Sequence, residues 1–318
     1  DADQLAAVDV GSVLADLQQV PALAENRINL VTSRRFKEGA LIGQMAKFIQ
    51  AQQPNQNSAA LLEKFAKQVV HPSEIQMVFL QSEMDDQIQL EYLPPNMSKQ
   101  FDRTSYYDKL MLGYQHYVGA LKSYLTADEP ELWVQHVVNV FDDYRILTPI
   151  RHGALGLTQL NLQVEQRLLD ALSLQMNKQG DWYVGRPVMM TYNDYQLGLS
   201  NGDIGICFKR SRDGQSQFEV YFPSLEKWVP ATRLPKSIET AFVLTIHKSQ
   251  GSEFTHTAVV LDETAKDLLS KELLYTAITR ARKVVSLLAD SEALVQSLMV
   301  KTTRKSGVLA KVNGLLDC

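Results

Sequence analysis

The sequence predicts an α/β protein built around a parallel sheet and interrupted by a small all-β domain. Short apolar runs of strand length alternate with longer segments of helical period over most of the 318 residues. Such alternation is typical of parallel strands connected by helices. Between residues 186 and 229 the period changes to strict alternation with Asn-Gly and Asp-Gly dipeptides, which indicates antiparallel hairpins.

The first part of the chain supplies the beginning of the helix and strand alternation. Residues 5–20 have mostly helical spacing and end at Pro21, so we expect a helix that belongs to an upstream domain. The pattern then predicts a strand at 28–32, a helix at 41–52, a helix at 59–69 and a short strand at 77–80.

The middle of the chain is predicted to be largely helical. Two amphipathic helices are expected at 106–125 and 130–141, followed by a strand at 145–148. A further helix is predicted at 158–174, with Thr158 as its N-cap because a threonine hydroxyl can accept from the first backbone N–H groups.

The β block and the last part of the chain complete the predicted fold. Alternating apolar residues at 188–192, 204–208 and 218–222, between Pro187 and Pro235, predict a small barrel inserted into the α/β domain. The earlier pattern then returns, with strands expected at 241–246, 257–261 and 285–288 and a helix at 274–283.

The composition is that of an ordinary globular protein and excludes few functions. With 45% apolar residues and a net charge of −4, nucleic-acid binding would depend on local basic clusters. Cys207 and Cys318 offer neither a disulfide framework nor metal-ligand spacing, which favours a reducing cytoplasm. No apolar run approaches the roughly 18 to 20 residues of a membrane span. The chain is therefore expected to be a soluble, cytoplasmic piece of a longer protein.

A polar string follows the predicted strand at 241–246 and reads Thr-Ile-His-Lys-Ser-Gln-Gly-Ser-Glu-Phe from Thr245. Ligands in open α/β sheets bind beyond the carboxyl ends of strands. His247 and Lys248 can donate to phosphate, Gly251 allows close backbone approach, and Glu253 can accept from a ribose hydroxyl. The alternative is a solvated loop whose polar side chains only satisfy the backbone of a turn.

A second string, Leu-Tyr-Thr-Ala-Ile-Thr-Arg-Ala-Arg, runs from Leu274 to Arg282. If it is helical, its apolar positions form a buried stripe and leave Arg280 on another face, held by a rigid element. A guanidinium held in this way suits the charge that develops on a γ-phosphoryl group. The alternative is an exposed basic helix with weak surface ion pairs.

The two strings, in this order, resemble motifs V and VI of superfamily-one DNA helicases of the RecD type. The start of the chain resembles the end of motif III, and Ser33-Arg-Arg-Phe resembles motif IV with Arg34 in the place of a tyrosine. Residues 185–189 and 201–205 resemble the SH3-like insertion of this branch, and residues 304–307 its C-terminal end. A Gly-x4-Gly-Lys-Ser/Thr phosphate loop is absent from the 318 residues.

The resemblance implies the second RecA-like motor lobe of such a helicase, an α/β parallel-sheet lobe of the kind found in P-loop NTPases, with an inserted SH3-like β-barrel. Residues 1–27 would be the remnant of the first lobe, and residues 28–180 the first part of the second lobe. Residues 181–237 would form the insertion, and residues 238–318 would carry motifs V and VI and the tail.

The resemblance also assigns roles to individual residues. The groups at the γ-phosphate would be Gln4, Arg35 and Arg280. The groups near the rest of the nucleotide would be Gly251, Glu253 and Arg282, although Arg282 could instead cap its helix. The residues along the DNA would be Thr245, His247, Lys248, Asn193 and Asn201. The cofactor would be ATP with Mg²⁺, bound mostly by residues outside this chain, and no metal ligand is predicted here.

As a member of this family, the full-length protein would be an ATP-dependent 5′–3′ DNA helicase subunit of exodeoxyribonuclease V. It would bind single-stranded and double-stranded DNA, assemble with RecB and RecC, and act in DNA repair and recombination. The fragment alone would not hydrolyse ATP. The alternatives are a stand-alone or relaxase-type helicase and, in another class, a non-catalytic module that docks onto DNA or other subunits.

Three further features have simpler interpretations. The string ending in Asp262-Glu263 is similar to a Walker B strand, but without a phosphate loop we interpret both acids as strand-end surface residues. The scattered histidines lack metal-ligand spacing. Five tyrosines could stack on bases, but their spacing favours core packing; they are Tyr106, Tyr107, Tyr114, Tyr117 and Tyr124.

Overall fold

The computed structural model describes residues 40–70, 73–94, 103–174 and 177–301, except for the side chain of Lys266. Several predicted features lie outside these residues: the helix at 5–20, the strand at 28–32, the segments 33–36 and 304–307, and Gln4, Arg35 and Cys318. The chain divides into two compact units. The first contains residues 1–75, 79–100 and 249–318, and the second contains residues 76–78 and 101–248.

The described α-helices are α1 (Leu41–Ala51), α2 (Ser58–Ala66), α3 (Thr104–Met111), α4 (Gln115–Thr126), α5 (Val134–Phe141), α6 (Leu157–Leu172), α7 (Lys271–Ile278) and α8 (Ser291–Met299). The strands are β1 (Gln87–Tyr92), β2 (Tyr144–Thr148), β3 (Pro187–Met189), β4 (Ile204–Arg212), β5 (Gln215–Phe222), β6 (Lys227–Pro230), β7 (Glu239–Thr240), β8 (Val243–Thr245), β9 (Phe254–Leu261) and β10 (Ala281–Ala289).

The first unit is built on three parallel strands in the order β1, β10, β9. Val285 of β10 lies opposite Ile88 of β1 and Thr257 of β9. Most of β9 and β10 is fully buried, as expected for parallel strands that are covered on both faces. Helix α1 packs against α7 and β10, and α2 packs against α8.

The second unit combines a parallel strand pair, a helical layer and an antiparallel sheet. Strands β2 and β8 pair in parallel, with Ile146 opposite Val243. The antiparallel sheet has the order β6, β5, β4, β3, β7 and occupies the predicted β block. Each unit contains parallel strand pairs and helices, so the predicted α/β class is confirmed. The SH3-like identity of the antiparallel sheet stays a prediction.

Buried tyrosines connect the helices of the second unit to its strands. Tyr114 donates to the carbonyl of Phe242 at 2.5 Å, and Tyr117 donates to the carbonyl of Gly185 at 2.8 Å. Burial raises the pKa of Tyr114 to about 12. All five tyrosines that were candidates for base stacking are buried, so the prediction that they pack a core is confirmed.

The predicted strand at 77–80 is wrong, and the strand of this region is β1 instead. Phe79 is 71% exposed, so its apolar character does not reflect burial. Strand β1 escaped prediction because it buries polar residues. Gln89 accepts from the hydroxyl of Ser286 at 2.8 Å, and Glu91 accepts from the backbone N–H of Ile75 at 2.9 Å. Both side chains are satisfied in the interior, which is the condition for burying them.

The predicted helix at 274–283 is also wrong in its second half. Helix α7 ends at Ile278, and the chain continues as β10 from Ala281. Ala281 and Val285 are buried as the helical stripe predicted, but they are buried in the strand. Nearly every residue of β10 is buried. The apolar residues of this segment therefore fit the spacing of a buried helix as well as that of a buried strand.

The predicted N-cap of α6 is displaced by two residues. Gly156 occupies the cap position, and the helix begins at Leu157. The backbone of His152 lies so close to Gly156 that a Cβ atom there would collide with it. The close approach requires glycine at this position, and Thr158 lies within the first turn.

Candidate functional site

Arg280 lies in the turn between α7 and β10, with only 3% of its surface exposed. Its guanidinium donates to the carbonyls of Thr276 at 3.0 Å and Ser252 at 3.1 Å, and to the hydroxyl of Thr279 at 3.3 Å. The prediction that a helix face presents this side chain is therefore wrong, because backbone carbonyls at a helix end hold it. A guanidinium has five N–H donors, so these three bonds fix its orientation and leave capacity for a ligand.

The electrostatic environment of Arg280 is set by burial and by one carboxylate. Burial lowers the pKa of Arg280, and the smaller opposing effects of Glu253 and Tyr275 raise it. Arginine remains protonated under such conditions because its ordinary pKa is so high. The first unit thus holds a partly desolvated positive charge. Such a charge binds an anionic group strongly because water screens it less.

The segment before β9 brings Glu253 towards Arg280. Gly251 has a φ of +81°, a left-handed conformation that glycine adopts without strain. The N–H of Ser252 donates to the carbonyl of Ser249 at 3.0 Å, and the N–H of Phe254 donates to the carbonyl of Arg280 at 2.9 Å. Glu253 is exposed between these anchored positions. The backbone therefore fixes the end of the first string against the end of the second.

Arg282 occupies a different environment from Arg280. Its side chain is exposed on β10, where it donates to the hydroxyl of Thr255 on β9 at 3.1 Å. The suggestion that it caps a helix is wrong, because α7 ends four residues earlier. Its contact with the nucleotide stays a prediction.

The first half of the first string belongs to the second unit and forms a short turn. Thr245 ends β8, and its hydroxyl accepts from the backbone N–H of Lys248 at 3.2 Å. The chain then makes the single 3₁₀ turn His247–Ser249. Thr245 is buried, whereas His247 and Lys248 are exposed. Thr245 thus shapes the turn that presents the two basic side chains to solvent.

Three of the predicted DNA-binding residues form a connected chain in the second unit. The ammonium of Lys248 donates to the side-chain oxygen of Asn201 at 2.9 Å. The backbone N–H of Asn201 in turn donates to the side-chain oxygen of Asn193 at 2.9 Å. Residues 47 positions apart in the sequence are therefore joined at one exposed polar surface.

Two exposed tyrosines flank Asn193 in the sequence and were not predicted to be functional. Tyr195 is 90% exposed and Tyr192 is 44% exposed. The sequence signal that could have revealed Tyr195 is its position in a run of turn-forming residues, Asn193-Asp194 before it and Gly198 after it. The alternating pattern predicts Tyr192 within a strand, but β3 ends at Met189.

The other chemical candidates have structural roles. Asp262 accepts from the N–H of Glu263 and the hydroxyl of Thr264, both at 2.8 Å, and so caps the 3₁₀ turn Glu263–Leu268. Buried His256 lies 2.8 Å from the hydroxyl of Ser286. Burial raises the pKa of the Cys207 thiol, which makes it unreactive.

The described part of the chain shows neither a metal-binding cluster nor a membrane-spanning helix. No group of three or more histidine, cysteine, aspartate or glutamate residues there could hold a metal ion. No described helix combines the length and the apolar character needed to cross a bilayer.

Comparison with known proteins finds similarity to helicases. Residues 240–288 match the family model of the UvrD-like helicase C-terminal domain. RecD of Haemophilus influenzae is 38% identical over 168 residues, which cover 53% of this chain and 25% of that protein. RecD of Mycolicibacterium smegmatis is 30% identical over 307 residues, which cover 95% of this chain and 47% of that protein.

Similarities that cover less of the chain extend to other helicases. The ATP-dependent RecD2 DNA helicase of Deinococcus radiodurans is 31% identical over 138 residues, which cover 43% of this chain and 19% of that protein. Among solved structures, Bacteroides Pif1 bound to single-stranded DNA has 16% identity and a TM-score of 0.34, covering 64% of this chain and 54% of that chain.

The chain spans about half the length, or less, of the curated relatives that it matches. Together with the match to a helicase C-terminal domain, this coverage corresponds to the C-terminal half of RecD. Nearly the whole length of this chain therefore resembles part of RecD.

Proposed function

We propose that this chain, which resembles the C-terminal half of RecD, is the second motor lobe of an ATP-dependent 5′–3′ DNA helicase. The helicase would be a subunit of exodeoxyribonuclease V that unwinds DNA during double-strand-break repair and recombination. Residues 28–180 and 238–318 would form the lobe, residues 181–237 its SH3-like insertion, and residues 1–27 the end of the first lobe.

The observation that carries this proposal is the anchoring of Arg280. A buried guanidinium held by two carbonyls and a hydroxyl cannot turn away to pair with a surface carboxylate. It is preorganised for an anion, and preorganised charge is the main means by which proteins stabilise phosphoryl transfer. The alternative of a solvated arginine with weak surface ion pairs does not fit its 3% exposure.

The residues of this chain fit a bound nucleotide at its outer phosphate and its sugar. When bound, ATP with Mg²⁺ supplies the phosphoryl group whose transfer to water drives translocation. Arg280 would neutralise charge on the γ-phosphate, and exposed Glu253 would accept from the ribose. Gln4 and Arg35, outside the described residues, would complete the γ-phosphate contacts. The phosphate loop and the metal ligands would come from the rest of the first lobe, outside this chain.

The proposal predicts that the isolated 318-residue chain has no DNA-stimulated ATPase activity. Without a phosphate loop, the chain has no cradle for the α- and β-phosphates, so Arg280 alone cannot position ATP for attack. The measurement is phosphate release with and without single-stranded DNA, with the full-length protein as the positive control. Turnover by the isolated chain that disappears in Arg280→Ala would contradict the proposal.

The nucleic-acid face of the lobe would be the surface formed by Lys248, Asn201 and Asn193. Lys248 supplies a positive charge, and the two asparagines orient it through the 2.9 Å contacts. His247 is exposed in the same turn, and Thr245 shapes that turn. Phosphate contacts of this kind position a strand without reading its sequence, as a translocating motor requires.

We expect Lys248→Ala to weaken single-stranded DNA binding and to reduce its salt dependence. Loss of one phosphate contact lowers the slope of log K against log salt by about 0.7 for a single strand. The measurement is fluorescence anisotropy with a labelled oligonucleotide at several salt concentrations. Lys236→Ala removes another exposed lysine of the same unit and serves as the control. An unchanged slope in Lys248→Ala, or an equal change in Lys236→Ala, would show that this surface does not contact the DNA.

The partners that fit the resemblance are RecB and RecC. The long match to the RecD subunits of RecBCD enzymes supports this assignment, and the shorter match to a RecD2 helicase supports the alternative of a stand-alone enzyme. Purification of the tagged full-length protein from its own cells distinguishes them. Stoichiometric recovery of two large subunits is expected for the RecBCD form, and a lone polypeptide with helicase activity for the other.

A further inference from the structure

Tyr195 is an aromatic side chain that the proposed DNA path does not yet explain. At 90% exposure it is the most exposed large apolar or aromatic side chain in the described part of the chain. Exposed tyrosine rings commonly interact with a second aromatic or apolar surface. Its neighbours Leu197 and Leu199 are buried, so the segment that carries Tyr195 is packed against the protein.

Hydrogen bonds hold the backbone on both sides of Tyr195. Asp194 and Leu199 exchange two backbone bonds, at 2.7 and 3.0 Å, which closes the turn that contains Tyr195. The carboxylate of Asp194 also accepts from the N–H of Leu197 at 3.0 Å, and the ammonium of Lys227 donates to the carbonyl of Leu197. The ring is therefore presented by a fixed turn, and little conformational entropy of the backbone would be lost when it binds a ligand.

The same turn adjoins the chain of contacts that ends at Lys248. Asn193 lies two residues before Tyr195, and its side chain accepts from the N–H of Asn201, which binds Lys248. The exposed residues between these positions include Gln196 and Ser200, and the carboxylates of Asp194 and Asp203 are both used in bonds to backbone N–H groups. An exposed aromatic ring two residues from an asparagine that is linked to an ammonium group suits the alternation of base and phosphate in a single strand.

We propose that Tyr195 is a base-stacking platform for single-stranded nucleic acid, with the Asn193, Asn201 and Lys248 chain taking the adjacent backbone. This inference rests on the proposed function and deepens it by naming a subsite for the bases. The stacking is independent of base identity because every base has a π face. A motor that steps along any sequence can use such a contact at each position.

The test compares Tyr195→Ala and Tyr195→Phe in the full-length protein, with anisotropy of a labelled oligothymidylate as the readout. We expect Tyr195→Ala to weaken binding on the order of tenfold, the scale of one lost base stack, and Tyr195→Phe to retain nearly full affinity. Phe79→Ala removes an exposed aromatic ring of the other unit and should leave affinity unchanged.

A second arm identifies the base as the partner of the ring. Oligonucleotides that carry one abasic site at successive positions should bind wild type more weakly at one register. At that register Tyr195→Ala should have no further effect, because the stack is already lost. Photocrosslinking of a 5-iodouracil oligonucleotide should label Tyr195 at the same register.

The outcomes separate this inference from the proposed function. If Tyr195→Ala binds all oligonucleotides as wild type does while Lys248→Ala binds weakly, the stacking role is overturned and the DNA path stands. If Tyr195→Ala instead weakens only the association with a protein subunit, the ring is a protein contact and the inference is also overturned. If the wild-type protein does not bind single-stranded DNA, the proposed function itself fails.

Discussion

Arg280→Ala in the full-length protein is expected to lower the kcat for ATP hydrolysis by about 10³-fold or more, the range of an arginine finger. The buried guanidinium would meet the charge that develops on the γ-phosphoryl group, and alanine leaves that charge unpaired. Arg280→Lys should lose most of the same activity, because an ammonium cannot keep the three anchoring bonds and also reach a phosphate.

Controls separate this catalytic effect from loss of structure. Arg282→Ala removes an exposed arginine two residues away, whose described bond is to Thr255, and we expect a much smaller loss of turnover. A lower midpoint of thermal unfolding would reveal any loss of stability that results from the freed carbonyls of Thr276 and Ser252. If Arg280→Ala lowered DNA affinity as strongly as turnover, its side chain would be acting on the DNA path, contrary to the assignment.

The strands that the sequence predicted correctly are those in which burial and apolar character coincide. The predictions at 145–148, 257–261 and 285–288 fall within β2, β9 and β10. Strand β1 was missed because its interior positions hold Gln89 and Glu91, whose partners Ser286 and Ile75 are distant in sequence. Hydrogen bonds between distant residues decide such cases, and a local apolar period cannot reveal them.

In the candidate site, too, the sequence identified single residues but not the contacts that join residues distant in the chain. The resemblance named Lys248, Asn201 and Asn193 separately, but their contact depends on the fold of the second unit. Arg280 was correctly identified as a rigidly held arginine but was placed on a helix. Helix α7 ends at Ile278, so Arg280 lies in the turn that follows it. Tyr195 was missed because its turn-forming neighbours indicate a turn but do not show that the ring is exposed, which depends on how the turn packs in the fold.

The second large effect is expected at alkaline pH, where the buried tyrosines of the second unit should drive unfolding. Burial raises the pKa of Tyr114 from 10.0 to about 12, and it raises the pKa values of Tyr117, Tyr144 and Tyr183 well above 10. In the unfolded chain these phenols lose their protons near pH 10. The unfolded state therefore binds fewer protons above that pH, and stability falls as the pH rises from 10 towards the folded-state values.

Each proton that the folded state keeps and the unfolded state loses lowers the free energy of unfolding by about 1.4 kcal/mol per pH unit. Four tyrosines together therefore lower it by about 5 kcal/mol per unit above pH 10. Below about pH 12, where folded Tyr114 also ionises, that slope removes a large part of a typical stability of about 5 to 15 kcal/mol. The measurement is urea unfolding between pH 8 and 11.5, with tyrosinate absorbance recorded in parallel. Tyr114→Phe loses the 2.5 Å bond to Phe242 and is less stable at pH 8, but its slope above pH 10 should be shallower by one proton. If Tyr114→Phe kept the wild-type slope, or if tyrosinate formed before unfolding began, ionisation would not be coupled to the fold and the burial argument would be wrong.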